Sequence, residues 1–116
     1  MKKMRQSLKI KEIGAALVRE GFITLDQQAP ALGLARSTTW VILKANHKHS
    51  GLSAAVINRM LAAPALPPLV RIKLHEYIEE KSAGLYGHSR QQLLRFTDRL
   101  ALRLVGQSRA KSQTGY

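Results

Sequence analysis

The chain has no cysteine, which excludes a disulfide framework, a thiolate metal site and a cysteine nucleophile. Long apolar runs are also missing. The longest stretches without Lys, Arg, Asp or Glu are about a dozen residues, one of them the proline-interrupted segment 60–70, against the roughly 20 apolar residues a membrane span needs. The basic start MKKMRQSLKIKEIG contains no apolar signal core, because Lys9, Lys11 and Glu12 interrupt it; no secretory leader is expected there, and a cytoplasmic protein is. Aromatics amount to 5%, six residues scattered as Phe22, Trp40, Tyr77, Tyr86, Phe96 and Tyr116, so there is no platform on which RNA bases would stack.

Acid is the scarcest charge. The chain of 116 residues carries 7 Asp+Glu against 19 Lys+Arg, a formal net charge of +12, and its sequence pI is about 10.8. After Asp26 the next carboxylate is Glu76. Between residues 27 and 75 stand Arg36, Lys44, Lys48, Arg59, Arg71 and Lys73, with His47, His49 and His75, and no acid opposes them. A field of one sign concentrates a polyanion near the surface, and cations that neutralise phosphates release counterions from nucleic acid. An apolar content of 45% is enough for one independently folding domain.

Signals for catalysis are weak. Glu76, Glu79 and Glu80 sit beside Lys73 and Lys81 at helical spacing, which suits surface ion pairs rather than acid–base work. No glycine loop of the phosphate-cradling type occurs, and no serine has a base and an orienting acid at recognisable spacing. His47 and His49, with His75 or His88, lack the carboxylate or thiolate partners that zinc prefers. Neither an enzyme, a metal nor a cofactor is expected.

Apolar spacing predicts an all-α chain. A first helix is expected over residues 7–20, with Ile10, Ile13, Leu17 and Val18 recurring at helical steps, and Gly21 stops it. Thr24 or Asp26 caps a second helix through Leu32 that turns Ala29 and Leu32 inward, ends at Gly33 and contains Pro30, where a kink is expected. A third, over 36–45, buries Thr39, Ile42 and Leu43. Residues 46–51 form a basic loop. Ser53 caps a fourth helix to 63 (Val56, Ile57, Met60 and Leu61 inward). Pro67 and Pro68 open a fifth to 83, with Leu69, Ile72, Leu74, Tyr77 and Ile78 as its apolar face. A sixth, over 89–105, carries Leu93, Phe96, Leu100 and Leu104 at steps of three and four, flanked by Leu94 and Ala101. Arg95, Arg99 and Arg103 lie opposite and read as a solvated face. The aperiodic segment 106–116 is expected to be disordered.

The most informative stretch is 24–43, TLDQQAPALGLARSTTWVIL. Ala29 stands four residues before Gly33, which is followed by apolar Leu34 and polar Arg36, Ser37 and Thr38. Two helices crossing through a three- to four-residue turn need a small residue at the crossing and a glycine free to take positive φ. Leu34 then plugs the corner.

This stretch resembles the helix-turn-helix of the Cro/lambda-repressor-like transcriptional regulators, and residues 10–77 then match the family's five-helix arrangement. The resemblance implies a sequence-specific double-stranded DNA-binding regulator with its recognition helix over 36–45 in the major groove. It places Arg36, Ser37 and Thr38 on base edges. Trp40 and Val41 fall near the DNA backbone or thymine methyls, with Val41 assigned to bases and Trp40 to phosphate. Gln28, Lys44, Asn46, His47 and Lys48 fall on phosphates.

Arg36 has the chemistry for a bidentate contact to guanine, while Ser37 and Thr38 hydroxyls accept or donate. Trp40 reads equally as a core residue or a surface contact. Residues 1–83 form the DNA-binding domain, 84–105 a helix that either closes the core or dimerises through Leu93, Phe96, Leu100 and Leu104, and 106–116 the tail. A homodimer reading two half-sites is expected; so is the absence of a small-molecule effector, since only about 30 residues follow the five-helix unit. The alternative is a helical protein-interaction adaptor whose positive charge only steers association.

Overall fold

Helix α1 (Lys2–Arg19) begins at Lys2 rather than at residue 7, because Gln6 is buried and supplies a tertiary contact to its first turns. The computed structural model describes residues 2–45 and 51–100. Within them follow α2 (Leu25–Leu32), α3 (Arg36–Trp40) continuing as a π-helical turn (Val41–Ala45), α4 (Ala54–Ala62), α5 (Pro68–Ser82) and α6 (Arg90–Arg99). The described residues contain no strand, so the fold is all-α. No helix among them is long and apolar enough to cross a membrane.

Local chemistry sets most boundaries. Ser53 accepts from the Val56 amide to start α4, and Ser89 and Gln92 form a reciprocal capping box at the start of α6. Pro67 and Pro68 open α5, where a missing N–H has no intrahelical partner to lose. Carbonyls at helix ends are met by side chains: Arg71 donates to Leu61 O and Asn58 to Arg99 O. Helix α6 stops at Arg99, with Leu100 extended, shorter than the predicted 89–105. The remaining expectations for 101–116, Leu104 among them, lie outside the described residues, as do those for 46–50.

One core unites the helices. Ile10, Ile13 and Leu17 of α1 meet Leu32 and Leu34, Ile57 and Met60 of α4, Val70, Leu74 and Tyr77 of α5, and Phe96 and Leu100. Two expected inward residues, Val18 and Ile72, are exposed. On α5 the buried stripe is Val70, Leu74, Tyr77 and Lys81, a step of four, three and four rotated away from Ile72. Phe96 and Leu100 are 6% and 3% exposed within this single chain, so the α6 stripe closes the core. Of the two readings left open for this stripe, core closure fits the described residues: Phe96 and Leu100 present no surface to a second copy, and Leu93 is half-buried.

α1 and α5 run antiparallel and are laced by ion pairs. Arg5 faces Glu80, Lys9 bridges Glu12, Glu76 and Glu80, and Lys73 bridges Glu12 and Glu76. Burial alone would lower the Lys9 pKa, but Glu76 and Glu12 hold it above the ordinary value. Three of the chain's seven carboxylates, Glu12, Glu76 and Glu80, are gathered here, which makes the α1–α5 seam the acidic part of the surface.

Beneath that seam lies a buried polar hub. Tyr77 donates its hydroxyl to Gln6 Oε1 (2.7 Å) and accepts from the Leu52 amide (2.8 Å), while Lys81 Nζ donates to the Leu52 carbonyl (3.0 Å). Both backbone groups of Leu52 are thereby fixed on α5. Lys81 Nζ also stands over the Phe96 ring, 4.4 Å from its centroid, a cation–π contact.

Burial holds the Lys81 ammonium down to about 8, against an ordinary 10.5. The unfolded chain therefore keeps this proton between about pH 8 and pH 10.5, where the folded chain has released it. Stability must rise with pH across that window. The Tyr77 and Tyr86 hydroxyls are pushed up chiefly by burial, so above their ordinary range the fold retains protons the unfolded chain loses, and stability falls. Urea unfolding should show a maximum near pH 9 to 10, with an upper bound of about 3 kcal/mol for the Lys81 rise. In Lys81→Met the rise between about pH 8 and 10 should vanish; a rise of equal size in the variant would contradict this assignment.

Candidate nucleic-acid interface

The entry to α2 is over-determined. Thr24 Oγ1 accepts from the Gln27 amide, and Gln27 Oε1 accepts from the Ile23 and Thr24 amides (2.8 and 3.0 Å), a capping box that settles the cap as Thr24. Pro30 lies inside the helix on its exposed side. At the far end Gly33 takes φ +69. Its amide reaches Pro30 O, and the Leu34 amide reaches Ala29 O (both 3.1 Å), the pairing of a left-handed helix stop. Leu34 is buried behind it, as a corner plug should be. A Cβ on Gly33 would come within 2.9 Å of the Ala63 Cβ, so α4 leaves no room for a side chain at the turn.

Three residues after α2 ends, α3 starts at Arg36. Thr39 is fully buried and its hydroxyl donates to Ala35 O (2.9 Å), which fixes the rotation of the helix about its axis. Arg36 and Ser37 are then exposed and Thr38 half-exposed. Arg36, Ser37, Trp40 and Val41 line one shallow, open depression. Trp40 is 52% exposed, which decides between its two readings: it lies on the surface. Past Trp40 the ladder widens to a π-turn carrying exposed Lys44, while Leu43 turns inward and lies 3.7 Å from where a Cβ on Gly14 of α1 would stand.

One expected phosphate contact is corrected. Gln28 is 2% exposed, and its side-chain amide donates to Phe22 O (2.9 Å) and Ile23 O (3.3 Å). The turn between α1 and α2 leaves these carbonyls without helical partners, and Gln28 satisfies them from inside. Asn46, His47 and Lys48 lie outside the described residues.

The contact that sequence spacing missed is an ion pair. Arg36 donates Nε–H to Asp26 Oδ1 at 2.7 Å, with both side chains largely exposed (67% and 77%). Ten residues separate them, and only the reversal at Gly33 brings the start of α3 beside the first turn of α2. A hydroxyl, a guanidinium and an indole thus share one solvent-facing strip, with exposed Lys44 four residues beyond Trp40. Chemically, the strip can donate to acceptors and stack or pack on apolar edges; it holds no acid–base pair poised for reaction. No protein-family model, curated protein or solved structure matches this chain.

Proposed function

We propose that the protein is a sequence-specific double-stranded DNA-binding regulator of the Cro/lambda-repressor-like helix-turn-helix type, acting in the cytoplasm on the nucleoid, with segment 36–45 entering the major groove. The observation that carries this reading is the fixed presentation of Arg36, Ser37, Trp40 and Val41 on one open strip immediately after a glycine turn with no room for a side chain. Burial of Thr39 supports it, because rotation of α3 is locked and the outward residues are held in one register. Arg36 then reads guanine, Ser37 and Thr38 tolerate several edges, and Val41 packs on a thymine methyl. Lys44 and Trp40 hold the backbone, together with Asn46, His47 and Lys48 of the basic segment that follows. A short recognition helix binds weakly alone, so we propose a homodimer reading two half-sites, formed by a surface other than Phe96 and Leu100.

The protein-interaction adaptor remains the second reading because α1 leaves Met4, Leu8, Ala15 and Val18 exposed on its outer side. Selection of bound duplexes from a random pool, at low and near-physiological salt, separates the two. Enrichment of an inverted repeat with half-sites about ten base pairs apart is expected. Absence of duplex binding at both salts would favour the adaptor.

A further inference from the structure

Asp26 is the lone carboxylate between Glu20 and Glu76, and it stands against the arginine best placed to read a base. On a surface that meets phosphates, such a charge weakens binding to every duplex alike. Its contribution to folding is small, since exposed ion pairs are worth about 1 kcal/mol or less. A carboxylate in the first turn of α2 also favours the helix dipole, but that role does not need the contact with Arg36.

The geometry of the pair points to another role. Arg36 carries five N–H donors in a rigid planar fork. Asp26 takes the Nε–H, leaving the two Nη groups, which are the end that matches guanine O6 and N7. An unrestrained arginine side chain loses about 2 kcal/mol of rotamer freedom when it is ordered; a partner that already restrains it reduces that loss at the moment of binding. The carboxylate also repels phosphates at right and wrong sites alike, which lowers affinity for unrelated DNA; discrimination comes from the restrained fork.

We infer that Asp26 is a positioning residue that sets the specificity of Arg36 for guanine and lowers affinity for unrelated DNA. This inference rests on the DNA-binding reading above, and its test keeps the two failures apart. Affinities of wild type, Asp26→Ala and Asp26→Asn are compared on the duplex enriched by wild type, on that duplex with the Arg36-dependent guanine replaced, and on random duplex. Wild type is expected to discriminate at the guanine by about tenfold or more.

In Asp26→Ala that ratio should fall to about threefold while random-duplex affinity rises about two- to threefold at low salt. Asp26→Asn should match the alanine variant on random duplex, since the charge is gone, yet retain more of the ratio because Oδ1 still accepts from Nε–H. A purely structural role would not raise random affinity while lowering the ratio. If Asp26→Ala keeps the full ratio, the positioning role is overturned and the DNA-binding reading stands. If wild type binds no duplex, or binds without preference, base reading fails and this inference fails with it.

Discussion

Replacing Gly51 by alanine should lower the unfolding free energy by about 3 to 4 kcal/mol, the sum of a left-handed backbone penalty and a disrupted buried hydrogen bond. Gly51 has φ +72, and a Cβ there would overlap the Gln6 side-chain oxygen and the Tyr77 hydroxyl. Those two groups cannot both retreat, because Tyr77 holds the Leu52 amide on its other side. For a domain of this size the loss corresponds to a fall of about 15 °C in Tm. Gly21→Ala is the matched control: its φ is +96 but nothing lies within 4 Å of the added carbon. It should lose only the backbone cost, about 1 kcal/mol. Equal losses in the two variants, measured by thermal and urea unfolding, would show that the Gln6–Tyr77–Leu52 hub does not stabilise the fold.

The second large effect concerns recognition. Arg36→Ala should weaken binding to the selected duplex by about 10- to 100-fold, the value of one bidentate guanine contact, and reduce affinity for random duplex far less. Lys44→Ala should lower both affinities alike and flatten the dependence of log K on log salt by about 0.9, one phosphate's worth. The contrast between the variants carries the information. Parallel losses on specific and random duplex in Arg36→Ala would remove this residue from base reading and leave it a phosphate contact.

Much of the turn was legible in the sequence because its chemistry is local. Gly33 acts within a few residues as a left-handed stop that its spacing announces, whereas the choice of Thr24 over Asp26 as cap comes only with the Gln27 capping box. Burial of Ala29, Leu32 and Leu34 follows from the same geometry. Tertiary hydrogen bonds were illegible. Gln6, Gln28 and Lys81 look like surface residues by type, yet each enters the interior, Gln6 and Lys81 to meet a hydroxyl and a carbonyl of distant elements and Gln28 to meet carbonyls of the adjoining turn.

Lys81 also disguised the inward face of α5. With a lysine at its end the Val70–Leu74–Tyr77–Lys81 stripe appears truncated, and the apolar count shifts toward Ile72, which faces solvent. The α6 spacing marked Phe96 and Leu100 as inward, but not what they pack on, since closure of a core and pairing with a second copy need the same pattern; Leu94 is exposed. The Asp26–Arg36 contact depends on where two helices reverse, and no spacing rule encodes a pair ten residues apart.

The most direct test of the interface uses the chain's single tryptophan, which lies on the proposed contact strip. Trp40 emission is followed while duplex DNA is titrated into the protein over a series of salt concentrations, with polarisation of labelled duplex recorded in parallel. The account predicts a saturable change in emission that tracks polarisation, with log K falling linearly as log salt rises. Duplex binding seen by polarisation with Trp40 emission unchanged would place the DNA on another surface, and no binding by either signal would contradict the nucleic-acid reading itself.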